Sequence, residues 1–279
     1  MEFPWTQPPR RNMKLVTIIY DWLSRRTGGV TPRKNELKLF TTIYDDARLL
    51  GHFLAHYDRA GVTQFFIAVA GEHGSAVRPF MPAYRITICE ELGVADKYPF
   101  GVNAATEMRR RYQQADEWAV MVDLDEFIEF PKPVFEIIAD AEKEGANIVQ
   151  GIMYDRFSTD GKPRSFDASS DLSALFPVKA RFIKAMGGAD HKGVLVKGLI
   201  QPAGNFHNWK GQIVYSEVLE IAHYKWTDRV LDRVRSDYRV TSEAGIPCAV
   251  EYKRVLDHYE RYGRFAWEEF GGELASSAD

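Results

Sequence analysis

The sequence predicts an α/β fold: a mixed, mostly parallel central sheet flanked by helices and finished by C-terminal helices. Three observations carry this expectation. Short apolar runs of strand length alternate with amphipathic helical windows through the first half. The run Phe65-Phe66-Ile67-Ala68-Val69-Ala70 is apolar without interruption, as suits a strand covered on both faces. The alternation then gives way to a polar, turn-rich stretch, and two helical windows close the chain.

Taken in order, residues 1–12 carry prolines and arginines but no apolar core, so they read as a flexible arm and not as a secretory leader. Residues 13–20 read as a strand, 21–35 as a turn-rich stretch and 37–43 as a second strand. A helix is expected from about 46 to 60, because Ala47, Leu50, Leu54 and Tyr57 recur at helical spacing and Gly61 supplies a stop. Strands follow at 63–70 and 85–89, then a helix at 101–115 with Ala105, Met108 and Tyr112 on one face. Residues 117–122 form a strand that runs into an acidic cluster. Pro133 opens the next helix, where Val134, Ile137, Ile138 and Ala141 align, and Gly145 closes it. A strand at 148–153 ends the first half.

Beyond Tyr154 the pattern is looser: short strands within 176–201, an aromatic-rich loop, a strand at 214–223, and helices at 228–244 and 250–262. Residues 13–270 read as one domain with halves 13–153 and 154–270, and 271–279 as a frayed tail.

The chain has 279 residues, and 36 Lys+Arg against 39 Asp+Glu leave a net charge of -3, which argues against nucleic-acid binding. Two cysteines, Cys89 and Cys248, cannot build a disulfide framework or a four-thiolate zinc site. No run approaches the roughly 18 apolar residues of a membrane span. These features point to the cytoplasm, with peripheral contact at the inner face of a membrane left open.

The strongest chemical signal is Asp123-Leu124-Asp125-Glu126, delivered by the apolar run Ala119-Val120-Met121-Val122. Two carboxylates at a strand's C-terminal end lie where open α/β sheets place their ligand crevice. They repel one another unless a cation neutralises them. Hard oxygen donors suit Mg²⁺ or Mn²⁺, and such an ion shares its coordination with phosphates. The direct inference is a site for a metal-bound diphosphate. The competing interpretation is a solvated acidic turn.

In this context, residues 116–130 resemble the D-x-D-E-F region of family 2-type glycosyltransferases of GT-A fold. His56-Tyr57-Asp58-Arg59-Ala60-Gly61-Val62, Gly101-Val102-Asn103 and Ile221-Ala222-His223-Tyr224 are similar to further elements of that group. The resemblance runs in islands from about 37 to 239. It implies a GT-A-like nucleotide-diphospho-sugar transferase fold, with nucleotide-sugar bound by the first half and acceptor by the second. It also implies an inverting, metal-dependent transfer from a nucleotide-sugar donor to a saccharide or lipid-linked glycan. By the same resemblance, Asp123 and Asp125 meet the ribose and the metal, and His223 is a third metal ligand, with a packing role as its alternative. Tyr44, Asp45 and Asp46 then lie near the base, and Asn103 beside the nucleotide. The sequence departs from the pattern at Asp45-Asp46, where Asn-Glu is common, and at Gly71-Glu72-His73-Gly74-Ser75, where an acidic loop is usual.

Inversion needs a general base near the acceptor hydroxyl, and Asp155 and Asp190 in the polar second half are the candidates. The loop Asn205-Phe206-His207-Asn208-Trp209 offers aromatic faces and hydroxyl partners for an acceptor sugar, with His207 and Trp209 as its binding residues. A loop pinned by a half-buried Trp is the alternative. An arginine of the 228–244 helix near His223 would neutralise diphosphate. His52 and His56 lack the Glu of a His-Glu-x-x-His motif and read as packing residues. Rival classes are a dehalogenase-type phosphatase, a nucleotidyltransferase of related fold, and a non-catalytic sugar- or nucleotide-binding protein.

Overall fold

Alternation of apolar side chains along four short strands explains the centre of the molecule. β1 (Lys38–Ile43), β2 (Gln64–Val69), β3 (Ile86–Cys89) and β4 (Trp118–Met121) lie side by side in the order β3-β2-β1-β4, and all three pairings are parallel. Leu39, Ile43, Phe65, Ile67, Val69 and Val120 point into one core, and Phe40, Phe66, Ala68, Ala119 and Met121 into the other. Both faces are covered, so apolar residues dominate these strands, with the polar Lys38, Thr41, Thr42, Gln64 and Thr87 as exceptions. Helix α1 (Leu50–Arg59) brings Phe53, Leu54 and Tyr57 to the first core. Helix α2 (Phe100–Tyr112) brings Ala104, Ala105 and Met108 to the second. Helix α3 (Val134–Lys143) adds Val134, Ile137, Ile138 and Ala141 to the first. These positions are spaced as the sequence suggests, and Pro133 and Gly145 flank the helix as expected.

This architecture comes from a computed structural model that describes residues 36–44, 46–70, 73–89, 100–198, 200–203 and 206–275. The arm at 1–12, the strand expected at 13–20, Asp45, Gly71, Glu72 and Asn205 lie outside the described residues. Among the described residues no helix is long and apolar enough to cross a membrane.

The second half extends the sheet to ten strands by mainly antiparallel pairing. β5 (Glu126–Glu129) pairs with β9 (Leu219–His223). β6 (Ile148–Phe157) pairs with β7 (Val178–Ala180), with β8 (His191–Lys197) and, in parallel, with β9. β8 also lies antiparallel to β4, which joins the two halves. Helices α4 (Val230–Glu243) and α5 (Ala249–Tyr262) close the fold. They enclose a third core in which Val230, Val234 and Val255 meet Phe157, Phe182, Trp226 and Phe265. Each such fully buried side chain contributes roughly 1.5–3 kcal/mol.

Four expectations need correction. β6 does not stop at Met153 but continues to Phe157, because its polar residues find partners in neighbouring elements. Arg156, for example, reaches Glu129 and Glu220. α1 starts at Leu50, since the Asp46 carboxylate accepts the Arg48 backbone N–H at 3.0 Å and holds the chain in a turn first. Only Leu219–His223 of the expected 214–223 strand is a strand. The tail contributes β10 (Glu273–Leu274), paired with β7, and the Ala275 N–H donates to the Pro177 carbonyl.

Candidate functional site

β4 ends where the parallel strands end, and the chain turns at once into β5. Val122 and Leu124 are buried in the first core, and the intervening Asp123 is turned outward. Glu126 ties the turn: its Oε2 accepts the Asp123 backbone N–H at 2.8 Å, and its own N–H donates to the Asp123 carbonyl at 3.1 Å. The two acids then diverge. Asp123, with half its side chain exposed, faces β8 and receives a 2.7 Å bond from Lys192 Nζ. Asp125 faces β9 and α4.

The Asp125 side is organised by strand register. His223 is paired with Glu126 across β5/β9 and with Asp155 across β9/β6, and the Tyr224 N–H donates to the Asp125 carbonyl at 2.8 Å. The imidazole therefore lies between two carboxylates, with Nδ1 2.9 Å from Asp155 Oδ1 and Nε2 3.7 Å from Asp125 Oδ2. Arg233, in the first turns of α4, brings Nη2 to 3.4 Å from Asp125 Oδ2. Burial opposes charge on His223, yet Asp125 and then Asp155 outweigh it and raise the imidazole to about 9. Burial would likewise raise the Asp125 carboxyl, but His223, Arg233 and Lys225 hold it well below the usual carboxylate range.

The Asp123 side is a buried cation between acids. Lys192 is almost fully buried and bonds Asp123 and Glu126, at 2.7 and 2.8 Å. Burial disfavours its charge, but the two carboxylates prevail and keep the ammonium protonated. Glu126 is raised as well: burial lifts its carboxyl against the pull of Lys192, and the Asp123 charge adds to the rise.

The sequence-derived candidates separate clearly on this geometry. Asp155 cannot meet a substrate where it stands. It is fully buried, and its carboxylate accepts from His223, from Trp226 Nε1 at 2.8 Å and from the Ile183 N–H at 2.7 Å. Its place is behind His223. Asp190 is buried as well and is held by Arg181, with Nε at 2.7 Å. Trp209 is buried rather than open to a sugar: Arg109 covers its ring at 5.0 Å, Phe206 stacks on it, and its indole N–H donates to the Phe206 carbonyl. His207 is partly buried, its Nδ1 donates to the His191 carbonyl, and burial lowers its pKa. Tyr44 is half-buried against the second core, and Asn103 is exposed on the first turn of α2. His56 packs as expected, its Nε2 2.9 Å from the Ile128 carbonyl.

A divalent ion would find its best support at Asp125 and His223, and binding there would release the Nε2 proton of the imidazolium. The histidine's Nδ1 is committed to a buried carboxylate, the usual way a ligating imidazole is oriented, and its Nε2 faces the second acid. One oxygen and one imidazole nitrogen suit Mn²⁺ better than Mg²⁺, which prefers oxygen alone. Asp123 is turned to Lys192, and among the described residues no three His, Cys, Asp or Glu side chains are grouped to hold a metal as they lie. Beside Arg233, a cavity of about 290 Å³ is lined by Asp46, Thr227, Arg229, Val230, Asp232 and Arg233. Arg48 links Asp46 of its lining to Asp228, with bonds of 2.7 Å and 2.9 Å.

Lys192 carries no sequence signal, since a lysine just ahead of the apolar run Val194-Leu195-Val196 reads as the wet end of a strand. Arg233 is the arginine expected near His223, and the helical register singles it out.

No protein-family model matches the chain, and no curated protein matches it. Solved structures share parts of its shape. HddC from Yersinia pseudotuberculosis is 9% identical, with 47% of this chain and 63% of that chain covered and a TM-score of 0.31. A 4-diphosphocytidyl-2C-methyl-D-erythritol synthase is 11% identical over 60% and 76% of the two chains, at 0.33. A UDP-glucose pyrophosphorylase complexed with UDP-glucose is 10% identical over 52% and 66%, at 0.30. The matched region thus spans just under two thirds of HddC, and overlaps this partial carry no assignment of activity.

Proposed function

We propose that the protein is a glycosyltransferase that moves a sugar from a nucleotide-sugar to a saccharide or lipid-linked glycan, with inversion. The observation that carries this reading is the divergence of the two acids at the C-terminal edge of the parallel strands. Asp125 faces His223, backed by buried Asp155, with Arg233 alongside. Asp123 points outward, where it can accept hydroxyls of the ribose or the donor sugar. A Mn²⁺ or Mg²⁺ ion at Asp125 and His223 would supply charge to stabilise the diphosphate leaving group. Arg233 would add a fixed positive charge at the same place, and the bond from Asp155 would keep His223 Nε2 aimed at it. The cavity beside Arg233 is the natural seat for the acceptor or transferred sugar, its carboxylates and guanidinium groups matching hydroxyls. With Asp155 and Asp190 enclosed, we assign the acceptor's proton to Asp232, a strongly exposed cavity carboxylate paired with Arg235 at 3.0 Å.

The test is a panel of nucleotide-sugars incubated with saccharide acceptors, the protein and Mn²⁺ or Mg²⁺, with the products separated. Release of nucleoside diphosphate, with the anomeric configuration inverted, supports the reading. Conversion to nucleoside triphosphate and sugar 1-phosphate once pyrophosphate is added would replace it with nucleotidyl transfer, and binding without turnover would leave a sugar-nucleotide binding protein.

A further inference from the structure

The sequence-derived function has no task for Lys192, yet this ammonium is the most enclosed cation beside the acid turn. It sits between Asp123 and Glu126. Its chain neighbours on β8 hold a different element, the 206–209 segment. The carbonyl of His191 accepts from His207 Nδ1, and the Gly193 N–H donates to the Phe206 carbonyl at 3.1 Å. Gly193 also leaves room for Trp209, since a Cβ there would stand 2.5 Å from its Nε1. Lys192 itself joins both contacts, with Nζ 5.5 Å from the centre of the Phe206 ring. Three successive residues of one strand therefore grip the segment while the middle one grips the acid turn.

We propose that Lys192 is a positioning residue that sets the Asp123–Glu126 turn and the 206–209 segment as one unit, so that Phe206 and His207 form a fixed wall beside Asp123. The functional meaning rests on the donor-site reading of the turn. A ligand held by Asp123 then meets a preformed surface rather than a loop it must order. Lys192 touches no substrate in this scheme. Its ammonium neutralises two acids that would otherwise repel, and its alkyl stem and charge meet the face of Phe206.

The experiment is amide hydrogen exchange on the full chain without nucleotide, comparing the native protein with Lys192→Met, Lys192→Arg and Phe206→Ser. Lys192→Met is expected to speed exchange at least about tenfold at both 122–126 and 206–209, with β1, β2 and α3 unchanged. Lys192→Arg keeps a cation within reach of both acids and should restore most of the protection in both segments. Phe206→Ser leaves Lys192 in place and buries no lone charge, so it serves even if Lys192→Met does not fold. It should raise exchange at 122–126 several-fold. Loosening of either segment alone overturns the proposal, as does Phe206→Ser leaving 122–126 unchanged, or Arg failing to rescue. Sugar transfer is not measured here, so absence of nucleotide-sugar turnover would sink the donor reading without touching this one.

Discussion

Replacing Asp155 with Asn removes one charge from the interior and barely changes its shape. The native carboxylate accepts three N–H bonds of 2.7 to 2.9 Å, from His223, Trp226 and the Ile183 backbone. An Asn side chain keeps one acceptor oxygen, so its NH₂ must confront at least one N–H. The better orientation keeps oxygen toward His223 and Trp226 and strands the Ile183 N–H, a loss of about 1–3 kcal/mol. The imidazolium also loses one of its two counter-charges, and breaking a buried pair typically costs about 3–5 kcal/mol. We therefore expect a loss of roughly 4–8 kcal/mol at pH 7, read by urea denaturation with m unchanged. The charge-dependent share should fade once His223 is neutral, so the gap between native and variant narrows at pH 10. A loss below about 1 kcal/mol, or an equal loss at both pH values, would refute the idea that Asp155 holds a charged His223.

Two further predictions follow from the same structure. In the presence of a chelator, His223 raised to about 9 stabilises the fold fully below its unfolded value of 6.5, and this contribution is lost as pH rises through 9. The integrated effect is about 3 kcal/mol, and it should vanish in His223→Gln when the midpoint of unfolding is followed from pH 6 to pH 10. Gly151→Ala would place a Cβ 2.6 Å from Ile221 Cδ1 and 3.2 Å from Val194 Cγ1, so thermal unfolding should show a loss of about 1–3 kcal/mol through overpacking between β6, β8 and β9.

Much of the fold is legible because its signals are local. The uninterrupted run of β2, the spacing of Val134, Ile137, Ile138 and Ala141, and the stops at Gly61 and Gly145 depend only on neighbouring residues. The misjudged elements depend on distant partners. β6 extends through Tyr154, Asp155 and Arg156 because β7, β9 and Glu129 satisfy groups that look like loop residues in sequence. The same cause limits the site. The acid turn announces itself, since an apolar strand ending in two acids is a local pattern. Whether an acidic or aromatic residue beyond it is open or enclosed is not local. Asp155 is hidden behind His223 by strand register, and Trp209 lies under Arg109, which comes from α2 one hundred residues earlier in the chain. Lys192 is silent in the sequence for the converse reason: its two acid partners belong to a turn 66 and 69 residues away.

Asp125, with His223 beside it, is the residue we assign to the departing diphosphate. Its most direct test is nucleoside diphosphate release from the nucleotide-sugar that the native protein turns over, measured for native and Asp125→Asn proteins of matched near-UV circular dichroism. Turnover by the native protein is expected, with a fall of roughly 100-fold or more in the variant, equivalent to about 2.7 kcal/mol of transition-state stabilisation. Equal rates in the two proteins would contradict it.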